Sequence, residues 1–296
     1  MSTGAPPAAP RVVIVGGGLA GLAAATALCT SGCRVAIFEA RRALGGRAAS
    51  FRDSVTGEMV DHCQHVGMGC CTNLEDFCRR LEIDDCIRRD EVLTFIGPAG
   101  RQHRFQAARW LPAPLHLGPA FFRLSYLSLR DRVGIGRALW ALMRLKVSDD
   151  CQSPTIGRWL SQRGQSAAAI QHFWSVVLTS ALGESLDRAS LAAARKVLVD
   201  GFLAAPGAYA LEIPQVPLGV LYGARMQDWL TARGVELHFQ SPIRRIERDE
   251  GLVAVASDGR RVRGESIVVA LPWSKMREVF SHDLAEQLPW LDHLQQ

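Results

Sequence analysis

What the chain lacks bounds it first. Its 296 residues contain no apolar run approaching the roughly 18 needed to span a bilayer. Residues 1–10 are rich in Pro and Ala but have neither a basic n-region nor an apolar core, so they read as a flexible arm and not as a signal peptide. A cytoplasmic protein is the expectation. None of the eight cysteines forms a C-x-x-C pair. Cys63, Cys70 and Cys71 lie near His62 and His65, yet that spacing fits no standard zinc site, so no metal is expected and the thiols read as reduced. No nucleic-acid-binding module is recognisable, and no such partner is expected.

Acidic residues are scarce in one place. Between 101 and 147 there is a single acid, Asp131, against nine Arg or Lys, a local +8 in a chain whose net charge is +5. Large apolar residues, among them Trp110, Phe121, Phe122, Tyr126 and Trp140, interleave with those cations. The mixture suits a surface that leans into anionic headgroups, and peripheral contact with the inner face of a membrane is the expectation. An ordinary helical subdomain with solvated arginines accounts for the same pattern.

What the chain has is concentrated between 11 and 50. With 48% hydrophobic and 21% charged residues it can bury a large core in one or two domains. The strand-like run Val12-Val13-Ile14-Val15 leads into Gly16-Gly17-Gly18-Leu19-Ala20-Gly21, then a helix, then a second strand ending at Glu39. In that order the glycines read as a dinucleotide turn: Gly16 for the tight turn, Gly18 for approach of backbone N–H groups to a pyrophosphate, Gly21 for close packing of helix on sheet. The helix N-terminus favours phosphate charge. Glu39 stands 18 residues beyond Gly21, where a carboxylate accepts hydrogen bonds from a ribose diol, which favours FAD or NAD over NADP. Beyond it, Arg42 and Arg47 can donate to a diphosphate, and Gly45-Gly46 let the chain pass close to a flat cofactor.

Periodicity supplies the rest of the layout. The spacing predicts an amphipathic helix over 71–81, a hairpin over 93–105, and helices over 155–163, 167–182 and 191–203. Strand patterns return from 235, at 236–239, 243–247, 252–257, 261–262 and 266–270. A helical block thus interrupts an α/β unit.

The block from Glu39 through Gly45-Gly46-Arg47 resembles the FAD-dependent amine oxidase and phytoene desaturase superfamily, and that resemblance selects FAD. Ser241-Pro242-Ile243, the 258–259 turn and Ala270-Leu271-Pro272 resemble its second cofactor-contacting segment, with Ile243 touching the adenine through its backbone. Asp61-His62-Cys63-Gln64-His65 through Gly69, then Phe173-Trp174, Arg188-Ala189-Ser190, 197–203 and 213–218, resemble hydroxysqualene dehydroxylases, the squalene-associated FAD-dependent desaturases. Cys63 stands where that family has glycine, at a turn expected close to the flavin.

The resemblance implies an α/β fold: a Rossmann-like FAD-binding domain of the GR2 type interrupted by a mainly helical substrate domain. Its parts fall at 11–90 and 211–275 for the FAD domain and 91–210 for the substrate domain, with 276–296 opening a second substrate segment. The superfamily's late G-D motif has no counterpart before Gln296, so a truncated chain with weak FAD binding is the expectation. The implied cofactor-binding set is Gly16, Gly18, Leu19, Ala20, Gly21, Glu39, Ala40, Arg42, Gly46, Arg47 and Ile243. Asp61 and His65 are the candidates for proton delivery, although Asp61 suits fixing its loop and His65 suits a structural hydrogen bond near the flavin. The implied reaction is reductive dehydroxylation of hydroxysqualene to squalene, for hopanoid synthesis. Carotenoid desaturation, amine oxidation, or a partial flavoprotein without activity are the alternatives.

Overall fold

The computed structural model describes residues 9–146 and 154–295; part of the expected arm, and Val147 of the basic stretch, lie outside the described residues. The chain divides into two compact units. The first joins the N-terminal residues through His65, then Phe77–Cys86, then Pro214 onward; the second joins Val66–Asp76 to Ile87–Ile213.

The first unit is built on four parallel strands in the order Glu236–His238, Arg34–Phe38, Arg11–Val15, Ser266–Val269. The two central strands are almost wholly buried along their length. That explains why their sequences are continuous apolar runs: both faces of a parallel sheet are covered. Val13, Val15, Ala36 and Phe38 point to one face, against Ile243, Ile246, Ala254 and Ala256 of an antiparallel meander, Ile243–Arg248, Leu252–Ala256 and Arg261–Gly264. Helices Leu19–Thr30 and Met226–Ala232 bring buried Leu22, Ala25, Met226 and Leu230 to the unit's helical layer.

Residues 276–296, expected to open a second substrate segment, fold with the first unit instead. The reason is apolar burial: Val279 and Leu284 pack into the cluster under the meander, and Ser281 donates its N–H to the Ile246 carbonyl.

The second unit is mainly helical. Its core gathers Trp159, Phe173, Trp174, Leu178, Leu198 and Tyr209, with Ile135, Ala138 and Leu142 of helix Leu129–Arg144. That helix opens on a capping box, in which the Ser128 hydroxyl and the Asp131 carboxylate each satisfy a backbone N–H of the other. The hairpin expected over 93–105 forms, as Leu93–Ile96 and Gln102–Phe105. The helical stretches 167–182 and 191–203 also form, but each contains a π turn, Ile170–Trp174 and Lys196–Leu203. Strands Gly67–Met68, Leu211–Pro214 and Ile87–Asp90 make a small sheet.

Within that sheet Glu212 is 8% exposed, and Arg89 reaches it across 3.4 Å. Burial pushes the Glu212 carboxyl above the usual range; Arg89 opposes the shift and Glu75 adds to it. An acid whose pKa is raised by folding favours the fold when protonated, and its ionisation costs stability as pH rises. Glu212→Gln is therefore expected to raise Tm at pH 7, with the gain shrinking toward zero as the pH is lowered below the carboxylate range. Thermal melts of both chains between pH 4 and 8 read this directly.

Candidate functional site

Two glycines set the geometry at the sheet's C-terminal edge. A Cβ on Gly21 would lie 1.9 Å from the Gly16 carbonyl oxygen, so helix and strand touch backbone to backbone. A Cβ on Gly46, whose φ is +61°, would meet the Gly18 Cα at 2.9 Å. The Gly45 N–H donates to the Gly17 carbonyl at 2.9 Å, which seals the second loop against the first.

Helix Leu19–Thr30 begins at Gly18 with no side-chain cap and no acid in its first turn. Its leading N–H groups, at Leu19, Ala20 and Gly21, therefore have no carboxylate or hydroxyl to satisfy them. Beside this end, Glu39 is 8% exposed and accepts from two backbone N–H groups, Gly17 at 2.7 Å and Arg41 at 2.8 Å. Ala40 is exposed just beyond it. Ser241 donates its N–H to the Glu39 carbonyl, which brings buried Ile243 to the same edge. Arg42 and Arg47 are exposed, and among the described residues neither guanidinium is paired with a carboxylate. Arg41, which the sequence did not single out, donates to the Gly46 carbonyl at 3.3 Å.

An uncapped helix N-terminus, two uncommitted guanidinium groups and a buried carboxylate fit the phosphates and ribose of a dinucleotide.

Asp61 and His65 are not paired with each other. Asp61 Oδ1 accepts from the Ser50 hydroxyl at 2.6 Å and from the Leu218 N–H at 2.9 Å, while Gly219 donates to Ser50 Oγ at 2.7 Å. This relay fixes 218–219 to the hairpin of Ser50–Arg52 and Met59–Asp61. His65 Nδ1 donates to the Cys63 carbonyl at 3.0 Å, and Cys63 Sγ lies 3.4 Å from the same nitrogen. Outside glycine, positive φ among the described residues occurs at Glu82, Gln240 and Glu250, so Cys63 occupies its turn without backbone strain.

Among the cavities of the second unit, two share lining residues. One, of about 190 Å³, is walled by apolar side chains, including Phe105, Leu117, Phe121, Leu139 and Trp140. Phe173, Leu198 and Leu203 come from the helical stretches 167–182 and 191–203. Its mouth lies at Leu115, Phe122 and Trp140, which are 58%, 51% and 50% exposed. The larger, of about 1260 Å³, is lined by Met68, Leu74 and Leu211 but also by His172, Lys196 and Asp200. Phe95, Val177 and Phe202 belong to both walls. The sequence reading gave the apolar residues of 101–147 to a surface; their helical spacing in 129–144 was the signal that several face inward.

A parallel sheet, a glycine turn opening a bare helix N-terminus, and an acid at the end of the second strand define a dinucleotide-binding flavoprotein fold. The chain belongs to the family of flavin containing amine oxidoreductases, whose sequence model matches residues 19–294. Membership assigns FAD as the cofactor of the first unit. A zeta-carotene desaturase of Synechocystis is 28% identical over 178 residues, which are 56% of this chain and 36% of that one. A hydroxysqualene dehydroxylase of Zymomonas mobilis is 25% identical over 268 residues, 88% of this chain and 61% of that one. The chain thus spans roughly a third to three fifths of the length of these two curated relatives. Among solved structures, an oxidoreductase from Methanosarcina mazei superposes with a TM-score of 0.72 at 16% identity, over 97% of this chain and 65% of that one. Putrescine oxidase bound to putrescine superposes at 0.64 with 19% identity, over 92% of this chain and 60% of that one. Both share the fold.

Glu39→Ala removes the acceptor of two N–H groups, one of them at buried Gly17. Without flavin it is expected to lower stability by about 1–3 kcal/mol, the cost of an unsatisfied buried donor. Denaturant unfolding of the flavin-free chain measures that loss, and a parallel FAD titration should show weaker binding; an unchanged midpoint would mean that water replaces the carboxylate.

Proposed function

We propose that this chain is the cofactor- and substrate-binding part of an FAD-dependent oxidoreductase acting on a squalene-type isoprenoid, by reductive dehydroxylation of hydroxysqualene to squalene. The observation that carries the reading is the apolar cavity. Among its described lining residues no side chain is titratable, and a hydrocarbon segment suits such walls.

FAD, when bound, supplies hydride chemistry at its ring. The chain's own residues do the rest. Gly16, Gly18 and Gly21 keep the backbone clear for the diphosphate, and Leu19, Ala20 and Gly21 offer it N–H groups. Arg42, Arg47 and the Gly46 turn would flank the same charge, Glu39 and Ala40 would hold the ribose, and Ile243 would hold the adenine through its backbone. Asp61 positions the 218–219 segment through the hydrogen bonds described above. His65, with Nδ1 donating to the Cys63 carbonyl and Nε2 3.6 Å from Cys63 Sγ, is the candidate for proton delivery.

Carotenoid desaturation is the second reading, favoured by the 28% identity to zeta-carotene desaturase. The separating experiment supplies reduced FAD with hydroxysqualene, and oxidised FAD with zeta-carotene, to the same preparation. Squalene in the first and no new polyene in the second supports dehydroxylation; the converse overturns it.

Asp61→Asn keeps an oxygen acceptor for Ser50 and Leu218, whereas Asp61→Ala removes it. The first is expected to retain the wild-type Tm and FAD occupancy, and the second to lose about 1–3 kcal/mol of stability. Equal loss in both would point to the charge itself and away from a positioning role.

The exposed Trp110, Leu129, Val133 and Trp140, set among the arginines of 101–147, suit an anionic lipid surface. Among the described residues no helix is long and apolar enough to cross a membrane. Cosedimentation with anionic vesicles should exceed that with neutral ones and fall as salt is raised; equal binding to both removes the electrostatic contribution.

A further inference from the structure

Two cavities of the helical unit share a wall and differ in chemistry. In the smaller one the single polar side-chain group among the described lining residues is the Trp140 N–H, so a hydroxyl there would give up its bonds to water for almost nothing. The larger cavity takes three titratable side chains from the two π turns: His172 from Ile170–Trp174, and Lys196 and Asp200 from Lys196–Leu203. Each turn divides its residues between the two spaces. Phe173 lines the smaller cavity and its neighbour His172 the larger; Leu198 and Leu203 line the smaller, while Lys196 and Asp200 line the larger.

A π turn carries one residue more than an α turn, which rotates the following side chains by about 100°. The wide turns therefore let adjacent residues serve opposite sides of one wall. In the second turn the Ala204 N–H reaches back five residues to the Val199 carbonyl at 2.8 Å. Asp90, also at the larger cavity, is already paired with Arg88 at 3.0 Å. His172, Lys196 and Asp200 are not so engaged: among the described residues their side chains form no hydrogen bond or ion pair.

We propose that the larger cavity holds the hydroxyl-bearing stretch of an isoprenoid alcohol, recognised by His172, Lys196 and Asp200, with hydrocarbon extending along the shared wall of Phe95, Val177 and Phe202 toward the smaller cavity. This rests on the isoprenoid reading above and deepens it, because a plain hydrocarbon has no group to place among those three side chains.

The test compares farnesol with farnesene, two C15 isoprenoids that differ in one hydroxyl, by tryptophan-fluorescence titration of the whole chain. Farnesol is expected to bind at least tenfold more tightly than farnesene. In a chain carrying His172→Ala, Lys196→Ala and Asp200→Ala together, farnesene affinity should be unchanged and the preference should fall to about twofold or less. Lys196 and Asp200 are exposed and His172 is half-buried, so the fold is expected to survive, and an unchanged Tm verifies that. Should the triple variant melt early, each single variant carries the same comparison. Equal affinity for both compounds in the wild type, or a preference that persists in the variants, overturns the proposal and leaves the isoprenoid reading standing. If neither compound binds, both fall.

Discussion

The first unit depends on a contact with no side chain in it. The Gly16 carbonyl stands where a Cβ on residue 21 would have to be, and a Cβ on Gly46 would come within 2.9 Å of the Gly18 Cα. Strand, helix and second loop are thereby drawn together at a single point. A methyl group at residue 21 must push the helix off the sheet, because a backbone carbonyl cannot swing aside as a flexible side chain would. The positions of Glu39, of the bare helix N-terminus and of the Arg42 and Arg47 guanidinium groups all follow from that approach. So does the placing of Ile243, reached through the bond from Ser241 to the Glu39 carbonyl.

The two units solve opposite problems with polar groups. In the first, backbone N–H groups released by loops are gathered onto carboxylates: buried Glu39 takes two, and half-buried Asp61 takes one with a hydroxyl besides. Each acceptor fixes a loop that glycine alone would leave loose. In the second unit the interior is mainly apolar, and its polar exceptions include fully buried His116, the Glu212 carboxyl with Arg89, and the three side chains at the larger cavity. An apolar cavity of this kind is sustained by the rigidity of its walls, here aromatic side chains in edge-on contact, Phe121 on Phe173 and Phe173 on Trp174.

Legibility in the sequence followed the range of the interaction. The glycine turn, the helix behind it and the acid at Glu39 lie within thirty residues and obey local rules, so the α/β character and the dinucleotide edge could be read directly. The Asp61 relay could not, because its partner Leu218 is 157 residues away and announces itself by no motif. The helical stretches 167–182 and 191–203 were visible as 3.6-residue patterns, yet the π turns within them were not, since a single extra residue only blurs the period. The stretch 101–147 shows the other limit. Charge and apolarity were evident, but which apolar residues face a cavity and which face outward is decided by the helix phase of 129–144 and by what packs on it. Residues 276–296 were assigned to a new segment by the resemblance; in the fold their tie is Val279 and Leu284, packed under the meander.

The strand order carries a consequence for the chain as it is made. Arg11–Val15 and Arg34–Phe38 emerge from the ribosome together, but their outer neighbours, Glu236–His238 and Ser266–Val269, follow about 200 residues later. At roughly 5–20 residues per second, two strands that are apolar after their first residue wait some 10–40 seconds with both sheet edges open. During that interval the whole helical unit is translated and can close on its own core. The nascent chain therefore presents a finished bundle beside an unfinished sheet, and the unfinished edge is where a chaperone would be needed.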